Sequence, residues 1–425
     1  MKVRDAAQAT PTDRDRVIDF ARAASLVVVI LGHWLMASVT ISQTGIRGSN
    51  ALAELPSLTL LTWLLQVMPL FFVAGGFANL ASWRSVRHRG GGYANYAYGR
   101  VLRLVSPTLV FVTAVPLLLL GVSSVEAAAD HVALLGRLLG QPLWFLGMYV
   151  PVMALAPVFA RWHRRRPVAV LLGLGLMAAA TDAVRFAGYE SVGYLNFGFV
   201  WLFAHQLGFW YADRHRLPRR AWWAILAGSI VLLAGLTGLG PYPVSMVGLP
   251  GEMSNMAPPT VCLLVLAGGQ LAALVLARSW LAGWLRQPGP WLAVVLVGSR
   301  AMTLYLWHLL VLVVGFAVLI WLNAPLPAPG SATWWLSRPV WCVLLAGVLA
   351  VMTSRLVRFE RIGGPPDGDH SPAVAGAGMV MVSAGLFVVV MNGLAPSLFL
   401  VVGVAAMAGG LTLTALAAGV RRHIH

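Results

Sequence analysis

Apolar stretches of about twenty residues recur along the chain and are separated by short polar connections. The hydrocarbon core of a bilayer is about 30 Å thick, and a helix needs about twenty apolar residues to cross it. Of the 425 residues, 59% are hydrophobic and only 10% are charged, which is too apolar for a soluble domain. The sequence therefore predicts an all-α polytopic membrane protein. Its twelve predicted transmembrane helices lie at 18–40, 57–83, 104–121, 138–160, 168–186, 194–211, 221–240, 257–276, 292–322, 339–357, 373–391 and 394–418.

The basic residues lie on alternate connections between the predicted helices. Of thirty Lys and Arg residues, twenty-four fall in the two termini and in every second connection, and four fall in the others. The positive-inside rule then places both termini in the cytoplasm, and the even number of helices agrees. The expected location is a cell inner or plasma membrane. The net charge of +16 would indicate a nucleic-acid partner in a soluble protein, but here it reflects membrane orientation, and the expected partners include lipids and no nucleic acid.

The N-terminal apolar stretch is expected to be retained. Acidic residues such as Asp13 and Asp15 interrupt the basic region ahead of it, unlike in a signal peptide, and the stretch is long enough to span.

A turn-rich segment near the C-terminus divides the chain. We predict a ten-helix transmembrane domain over 1–361, a cytoplasmic linker over 362–372, and a C-terminal transmembrane hairpin with a short tail over 373–425. The hairpin has no charged side chain in its predicted helices. It is expected to be structural, lipid-facing or a contact between copies of the chain.

The first predicted helix carries ionisable residues that a transmembrane helix usually avoids. Arg22 and His33 are eleven positions apart, which on an α-helix is three turns plus about 20°, so they share one face roughly 16 Å apart. With Arg22 at the interface, His33 lies near the bilayer midplane, where an ionisable group indicates a functional site. The alternative is an arginine that reaches the interface and a histidine hydrogen-bonded by a neighbouring helix.

Two arginines open the third predicted helix. Arg100 and Arg103 are three residues apart and face the same way, and paired guanidinium groups suit phosphate. Arg84 and Arg87 have the same spacing, so the alternative is ordinary anchoring at the positive membrane face.

Aromatic and imidazole side chains mark two later helices. Trp144 and Phe145 open the fourth helix, where the alternative is an interfacial aromatic belt. His308 follows Tyr305 by three residues in the ninth helix, and its alternatives are a packing role and a catalytic one.

Scarce residue types exclude some functions. The only lysine is Lys2, so no P-loop lysine exists for an ATPase. The two cysteines, Cys262 and Cys342, lie in apolar stretches, and neither a disulfide framework nor a metal site is expected.

Taken together, these motifs resemble the membrane-bound acyltransferase-3 family over the first ten helices, to about Arg361. That family has Asp, Arg, ten residues and His in its first helix, an aromatic pair before Ser-Gly-Phe in its second, and Arg-x-x-Arg before Pro in its third. A Trp-aromatic-Leu in the fourth helix and a Ser/Tyr/His series in a late helix complete the pattern. Here glycine replaces the serine of the second helix. The matching residues are Asp19, Arg22, His33, Phe71, Phe72, Gly75, Gly76, Phe77, Arg100, Arg103, Pro107, Trp144, Phe145, Leu146, Ser299, Tyr305 and His308.

The resemblance implies transfer of an acyl group, commonly from acetyl-CoA, to a hydroxyl of a glycan, a lipid-linked sugar or a small glycosylated metabolite. The acyl-CoA is then a donor substrate, and no bound cofactor is expected. His33 would be the catalytic residue, either as general base or as acyl carrier. Asp19 would orient Arg22. The expected substrate-binding residues are Arg22, Arg100, Arg103, Asp19, Trp144, Tyr305 and His308.

The residues leave the acceptor open and admit a second function. The connection at 241–259, with Tyr242, Glu252 and Asn255, is a candidate acceptor contact. Twelve helices with both termini inside are also typical of secondary transporters. The two halves show no evident repeat, however, and few acidic residues lie deep enough to carry coupled protons.

Overall fold

The computed structural model describes residues 5, 8–11, 14–42, 45–124, 131–360 and 371–420. Residues 362–370 of the predicted linker lie outside this part of the chain. The first half contains α1 (Arg16–Met36), β1 (Ala37–Ser42), β2 (Gly45–Asn50), α2 (Ala51–Glu54), α3 (Thr62–Leu65), α4 (Met68–His88), α5 (Tyr93–Ser123), α6 (Val132–Gly140), α7 (Leu143–Ala154), α8 (Ala156–Arg165), α9 (Pro167–Phe186) and α10 (Asn196–Ala212). The second half contains α11 (Arg219–Gly238), α12 (Val261–Trp284), α13 (Pro288–Gly298), α14 (Ala301–Trp321), α15 (Ala332–Leu356), α16 (Pro372–Asn392) and α17 (Leu398–Ala417). Short 3-10 helices occupy Pro56–Leu61, Glu190–Leu195, Arg214–Arg216 and Val357–Glu360.

The prediction of an all-α polytopic membrane protein is confirmed. Within the described residues, ten helical segments are long and apolar enough to cross a membrane. An eleventh results if Val132–Ala154 and Ala156–Arg165, which meet at a bend of 52°, form one span. The predicted count of twelve is therefore too high by this measure. Each predicted helix has a counterpart, but that at 194–211 is the 17-residue α10, and that at 292–322 is the short α13 followed by α14.

Local chemistry explains the departures from twelve straight helices. Pro151 lies inside α7 and lacks the N–H that would continue the backbone hydrogen bonds, and α8 begins five residues later at an angle of 52° to the preceding helices. A 3-10 turn takes up Glu190–Leu195 and shortens α10. The antiparallel hairpin of β1 and β2 was not predicted. Its first strand is rich in β-branched residues, which favour a strand as much as a helix end.

The chain forms two compact units. Unit 1 comprises Met1–Ala78, Phe159–Ala301 and Leu312–Gly347, and unit 2 comprises Asn79–Val158, Met302–Val311 and Val348–His425.

In unit 1, glycines let α4 and α10 approach until their backbones touch. A Cβ added at Gly76 would overlap the carbonyl of His205, and one added at Gly208 would overlap the backbone of Val73 and Phe77. Phe72 stacks on Trp201 at 4.5 Å between ring centroids. Gly76 of the second predicted helix thus serves close helix packing, as in many membrane proteins.

In unit 2, the C-terminal hairpin packs against the preceding helices. Helix α16 contacts α5 and α7, and α17 contacts α5. The Leu394 amide in the turn donates to the Gly136 carbonyl of α6 at 2.9 Å. Within the hairpin, a Cβ at Gly385 or Gly403 would overlap the facing helix. Of the roles expected for this segment, the structural one agrees with these contacts.

Candidate active site

Helix α1 in unit 1 presents the predicted histidine and arginine. His33 is half-buried, and its Nδ1 lies 2.9 Å from the carbonyl oxygen of Val29, one turn earlier. Because a carbonyl oxygen only accepts hydrogen bonds, Nδ1 is the nitrogen that carries the proton in the neutral ring. The lone pair, and therefore the basic character, is assigned to Nε2.

Arg22 stands three turns before His33 on this helix, and Ser25 one turn after Arg22. Arg22 Nε and Ser25 Oγ are both buried and have no hydrogen-bond partner among the described residues. A buried helix serine normally donates to the carbonyl one turn back, as Thr108 does to Leu104 at 2.6 Å. Ser25 instead adds an unsatisfied hydroxyl beside an unsatisfied guanidinium donor. Ser25 was not predicted, since a single serine in an apolar stretch gives no signal of a site.

The expectation that Asp19 orients Arg22 is wrong. Asp19 Oδ2 accepts from Arg14 Nε at 2.5 Å, and Arg22 forms no ion pair among the described residues. The i, i+3 spacing of Asp19 and Arg22 would allow an ion pair, so the partner is decided by the approach of Arg14 and not by helical spacing. Arg14 precedes the helix and reaches the carboxylate from outside its first turn.

The carboxylate that organises this end of α1 is Asp15, which sequence reasoning missed. Asp15 caps the helix by accepting from the Val17 and Ile18 amides. Its oxygens also accept from the Tyr211 hydroxyl of α10 at 3.1 and 3.2 Å, and from Arg278 Nη2 of α12 at 3.1 Å. The capping pattern was available as a signal. The partners were not, because they are 196 and 263 residues away.

Another polar cluster in unit 1 went unpredicted. His163, only 4% exposed, lies between Gln206 and Asp213 of the α10 region. Its Nδ1 is 2.6 Å from Gln206 Nε2, and its Nε2 is 3.2 Å from Asp213 Oδ2. Arg216 also pairs with that carboxylate at 3.0 Å. Gln206 lies on another helix, 43 residues from His163 along the chain, so local sequence gave no signal for this contact.

The remaining predicted residues belong to unit 2. Arg100 and Arg103 lie in the second and third turns of α5. Arg103 is exposed and Arg100 is half-buried. Arg100 forms a side-chain hydrogen bond with Tyr96 one turn earlier, and the Tyr96 hydroxyl donates to the Met153 carbonyl of α7 at 3.0 Å. The arginine pair therefore stands at the junction of α5 and α7.

Tyr305 and the Trp144 region form an aromatic cluster in unit 2. The Tyr305 hydroxyl donates to the Pro142 carbonyl at 2.7 Å. Phe145 lies 5.6 Å from the Tyr305 ring and 5.2 Å from the Tyr149 ring, and Trp144 is half-buried beside it. The Tyr305 hydroxyl thus holds α14 against the start of α7.

His308 is fully buried in the same helix. Its Nδ1 lies 2.6 Å from the Tyr305 carbonyl, which again marks Nδ1 as the protonated nitrogen. Ser299, grouped with these residues in the sequence, is the C-cap of α13 and belongs to unit 1. Within unit 2, the structure brings Tyr305 and His308 together.

The candidate acceptor connection at 241–259 is internally bonded. Tyr242 donates to Asp182 at 3.0 Å. The Asn255 amide donates to the carbonyls of Pro243 and Ser245 at 2.7 and 2.9 Å. Glu252 is exposed. Tyr242 and Asn255 therefore shape this connection, and Glu252 is the candidate that faces outward.

Comparison with known proteins gives the family. No curated protein and no solved structure matches the chain. A family model described as an acyltransferase domain matches residues 15–357, which is well over half of the chain. The match begins at the Asp15 cap and ends one residue after α15, before the C-terminal hairpin. It sets aside the transporter alternative. The protein is an acyltransferase and belongs to the membrane-bound acyltransferase-3 family.

Proposed function

We propose that the protein is an integral membrane O-acyltransferase with His33 at the reacting centre. The donor is acyl-CoA, with acetyl as the expected group, and the acceptor is a hydroxyl of a glycan, a lipid-linked sugar or a glycosylated metabolite. The observation that carries the proposal is the hydrogen bond from His33 Nδ1 to the Val29 carbonyl. This bond favours the neutral tautomer with the proton on Nδ1, so Nε2 is the basic nitrogen of the ring. The ring lies on a helix in an apolar environment.

A neutral imidazole supports a balanced transfer. The acceptor hydroxyl attacks the thioester carbonyl, a C–O bond forms and the C–S bond breaks. His33 Nε2 takes the hydroxyl proton and returns it to the departing thiolate, which leaves as CoA. In the acyl-carrier form of the reaction, Nε2 attacks the thioester carbonyl, the C–S bond breaks and the CoA thiolate leaves. The acceptor hydroxyl then attacks the acyl carbon, the C–N bond breaks, and the hydroxyl proton passes through Nε2 to the thiolate. Both forms require the same nitrogen.

The arginines are proposed to bind the phosphates of the donor. Arg22 supports this role through its buried and unpartnered Nε, since an anion would satisfy that donor. Arg100 and Arg103 offer the same chemistry at the start of α5. Both termini are proposed to be cytoplasmic in a cell inner or plasma membrane, which gives these arginines access to cytoplasmic acyl-CoA.

The test is acyl transfer by the His33→Ala variant of the full-length protein in proteoliposomes with radiolabelled acetyl-CoA. We expect transfer to membrane or added glycan acceptors to fall by at least about a hundredfold, the scale of general-base catalysis. Binding of CoA, measured by calorimetry, is expected to change little. Arg22→Ala is expected to give the opposite pattern, with donor affinity reduced by about tenfold or more.

A matched control is His88→Ala, which removes an exposed histidine at the end of α4. Full transfer activity in His33→Ala would disprove the proposal. Exchange of label between acetyl-CoA and free CoA without any acceptor separates the two mechanisms. Exchange that disappears in His33→Ala indicates an acyl-histidine, and its absence in the wild type indicates a general base.

A further inference from the structure

A cationic cavity lies in unit 1, away from the histidine of α1. Its volume is about 350 Å³, and it is formed by the start of α11, the preceding turn and the last third of α12. Arg214, Arg219 and Arg278 line it together with His215, and its lining among the described residues contains no Asp or Glu. Three guanidinium groups that converge on one cavity are a suitable site for a phosphate.

Two of the three arginines are held in place by the network around Asp15. Arg278 donates to Asp15 at 3.1 Å and, through Nε, to the Tyr211 hydroxyl at 3.2 Å. Arg214 donates to the Tyr211 carbonyl at 2.9 Å and lies over the Tyr211 ring at 4.7 Å. Arg214 and Arg278 share the single carboxylate of Asp15, at 4.0 and 3.1 Å. The cluster therefore keeps an excess of positive charge, and less side-chain entropy is lost when an anion binds.

Apart from Ser279, the remaining lining residues are apolar. They are Leu217 and Trp222, which is 3% exposed, and Val275 and Leu276 of α12. A free phosphate or a sugar phosphate would gain nothing from this surface. A ligand with a phosphate joined to hydrocarbon would cover it and gain hydrophobic free energy.

Exposed tryptophans place the cavity at the level of lipid headgroups. Trp223, one residue after the buried Trp222, is 53% exposed, and Trp280, two residues after Arg278, is 69% exposed. Trp280 stacks on Trp284 at the end of α12 with 6.3 Å between ring centroids. Exposed tryptophans at helix ends are typical of the membrane–water interface. The arginines between them stand where lipid phosphates lie.

We infer that this cavity binds the phosphate of an anionic phospholipid, with Arg214, Arg219 and Arg278 on the phosphate and the first part of the acyl chains along Trp222 and Val275. Ordinary arginine anchors touch headgroups one at a time. This cavity differs because three arginines line one volume, and Arg214 and Arg278 are held by hydrogen bonds around Asp15 and Tyr211. The inference does not depend on acyl transfer or on His33.

Adjacent arginines provide a matched test. Arg219 lines the cavity, whereas Arg220, the next residue and equally exposed, does not. The detergent-purified full-length protein is titrated with dioleoylphosphatidylglycerol and, separately, with dioleoylphosphatidylcholine, and binding is measured by native mass spectrometry. We expect the anionic lipid to bind more tightly. Arg219→Glu should weaken that binding by at least about tenfold, and Arg220→Glu by less than about twofold.

The same titrations contain the outcomes that would overturn the inference. Equal affinity for the two lipids, or equal weakening by the two variants, would reduce the arginines to general surface charge. Displacement of the anionic lipid by CoA, with loss of CoA binding in Arg219→Glu, would assign the cavity to the donor nucleotide instead. Arg219→Gln is the second variant if the charge reversal prevents folding, and it should weaken binding in the same direction.

Discussion

At the scale of single residues, the polar side chains along α1 fall into two groups, one hydrogen-bonded within the protein and one with unpaired polar atoms. Asp15 at its start is saturated by hydrogen bonds from two backbone amides, a tyrosine and an arginine. Arg22 and Ser25, about two and three turns further, keep buried polar atoms without partners among the described residues. Buried donors and acceptors that are left unpaired cost free energy. Unpaired buried atoms are tolerated most readily where a bound substrate supplies the missing hydrogen-bond partner, which agrees with the proposed donor site along this helix.

The two roles of Asp15 can be separated by two substitutions. Asparagine is as good a helix cap as aspartate, so Asp15→Asn keeps the cap and removes only the charge that Arg214 and Arg278 share. Asp15→Ala removes both. We expect the Asn variant to lose about 1–3 kcal/mol from the charged hydrogen bonds, and the Ala variant to lose about 1 kcal/mol more.

Thermal unfolding of the two variants in detergent measures this difference. Asp19→Ala is the control, because the partner of Asp19 is the exposed Arg14, whose side chain is 53% accessible, and exposed pairs contribute about 0–1 kcal/mol. Equal stability of Asp15→Ala and wild type would show that the network around Asp15 does not hold α1.

At the scale of elements, the packing of α4 on α10 depends on two glycines that face each other. Gly208 lies against the α4 backbone, whereas Gly198, ten residues earlier in α10, has nothing within 4 Å of an added Cβ. We expect Gly208→Ala to lower the free energy of unfolding by about 1–3 kcal/mol, since the two backbones must move apart. Gly198→Ala should raise it by up to about 1 kcal/mol, because alanine is the better helix former.

The two variants change the same residue type in one helix, and their melting temperatures in one detergent give the comparison. Opposite signs are the expected result. A loss of stability in both would attribute the effect to α10 in general and contradict the close approach to α4.

At the scale of the whole molecule, hydropathy predicted the helices well because a bilayer leaves the backbone few alternatives to a helix. The sequence also predicted that Arg22 and His33 share one face of α1, since this depends only on helical geometry. Long-range partners were not available from it. Tyr211 and Arg278 bind Asp15 from 196 and 263 residues away. Asp19 pairs with the nearby Arg14 and not with Arg22. The spacing of residues along the chain does not indicate which distant residue becomes the partner, because that depends on the tertiary fold.

The C-terminal hairpin is the part of the molecule for which sequence and structure lead to different expectations. The family match ends at residue 357 and does not include the hairpin, whereas α16 and α17 pack on α5 and α7 within unit 2. Removing the hairpin would expose the apolar surfaces of α5 and α7 that it covers. Lipid would then contact these surfaces in place of the closely packed glycines and side chains of α16 and α17. We therefore expect a chain ending at residue 371 to accumulate poorly in membranes and to unfold at a lower temperature.

A chain ending at residue 420 is the control, because it removes the tail and keeps α17. Gly385→Leu gives a milder version of the same test, since the added side chain meets the Gly403 carbonyl of α17. It should lower the melting temperature without shortening the chain. If the protein ending at residue 371 is as stable and as active as the full-length chain, the packing seen here does not stabilise the enzyme. A lipid-facing role or a contact between copies of the chain would then remain for these two helices, and cross-linking of the full-length protein in membranes would test the contact between copies.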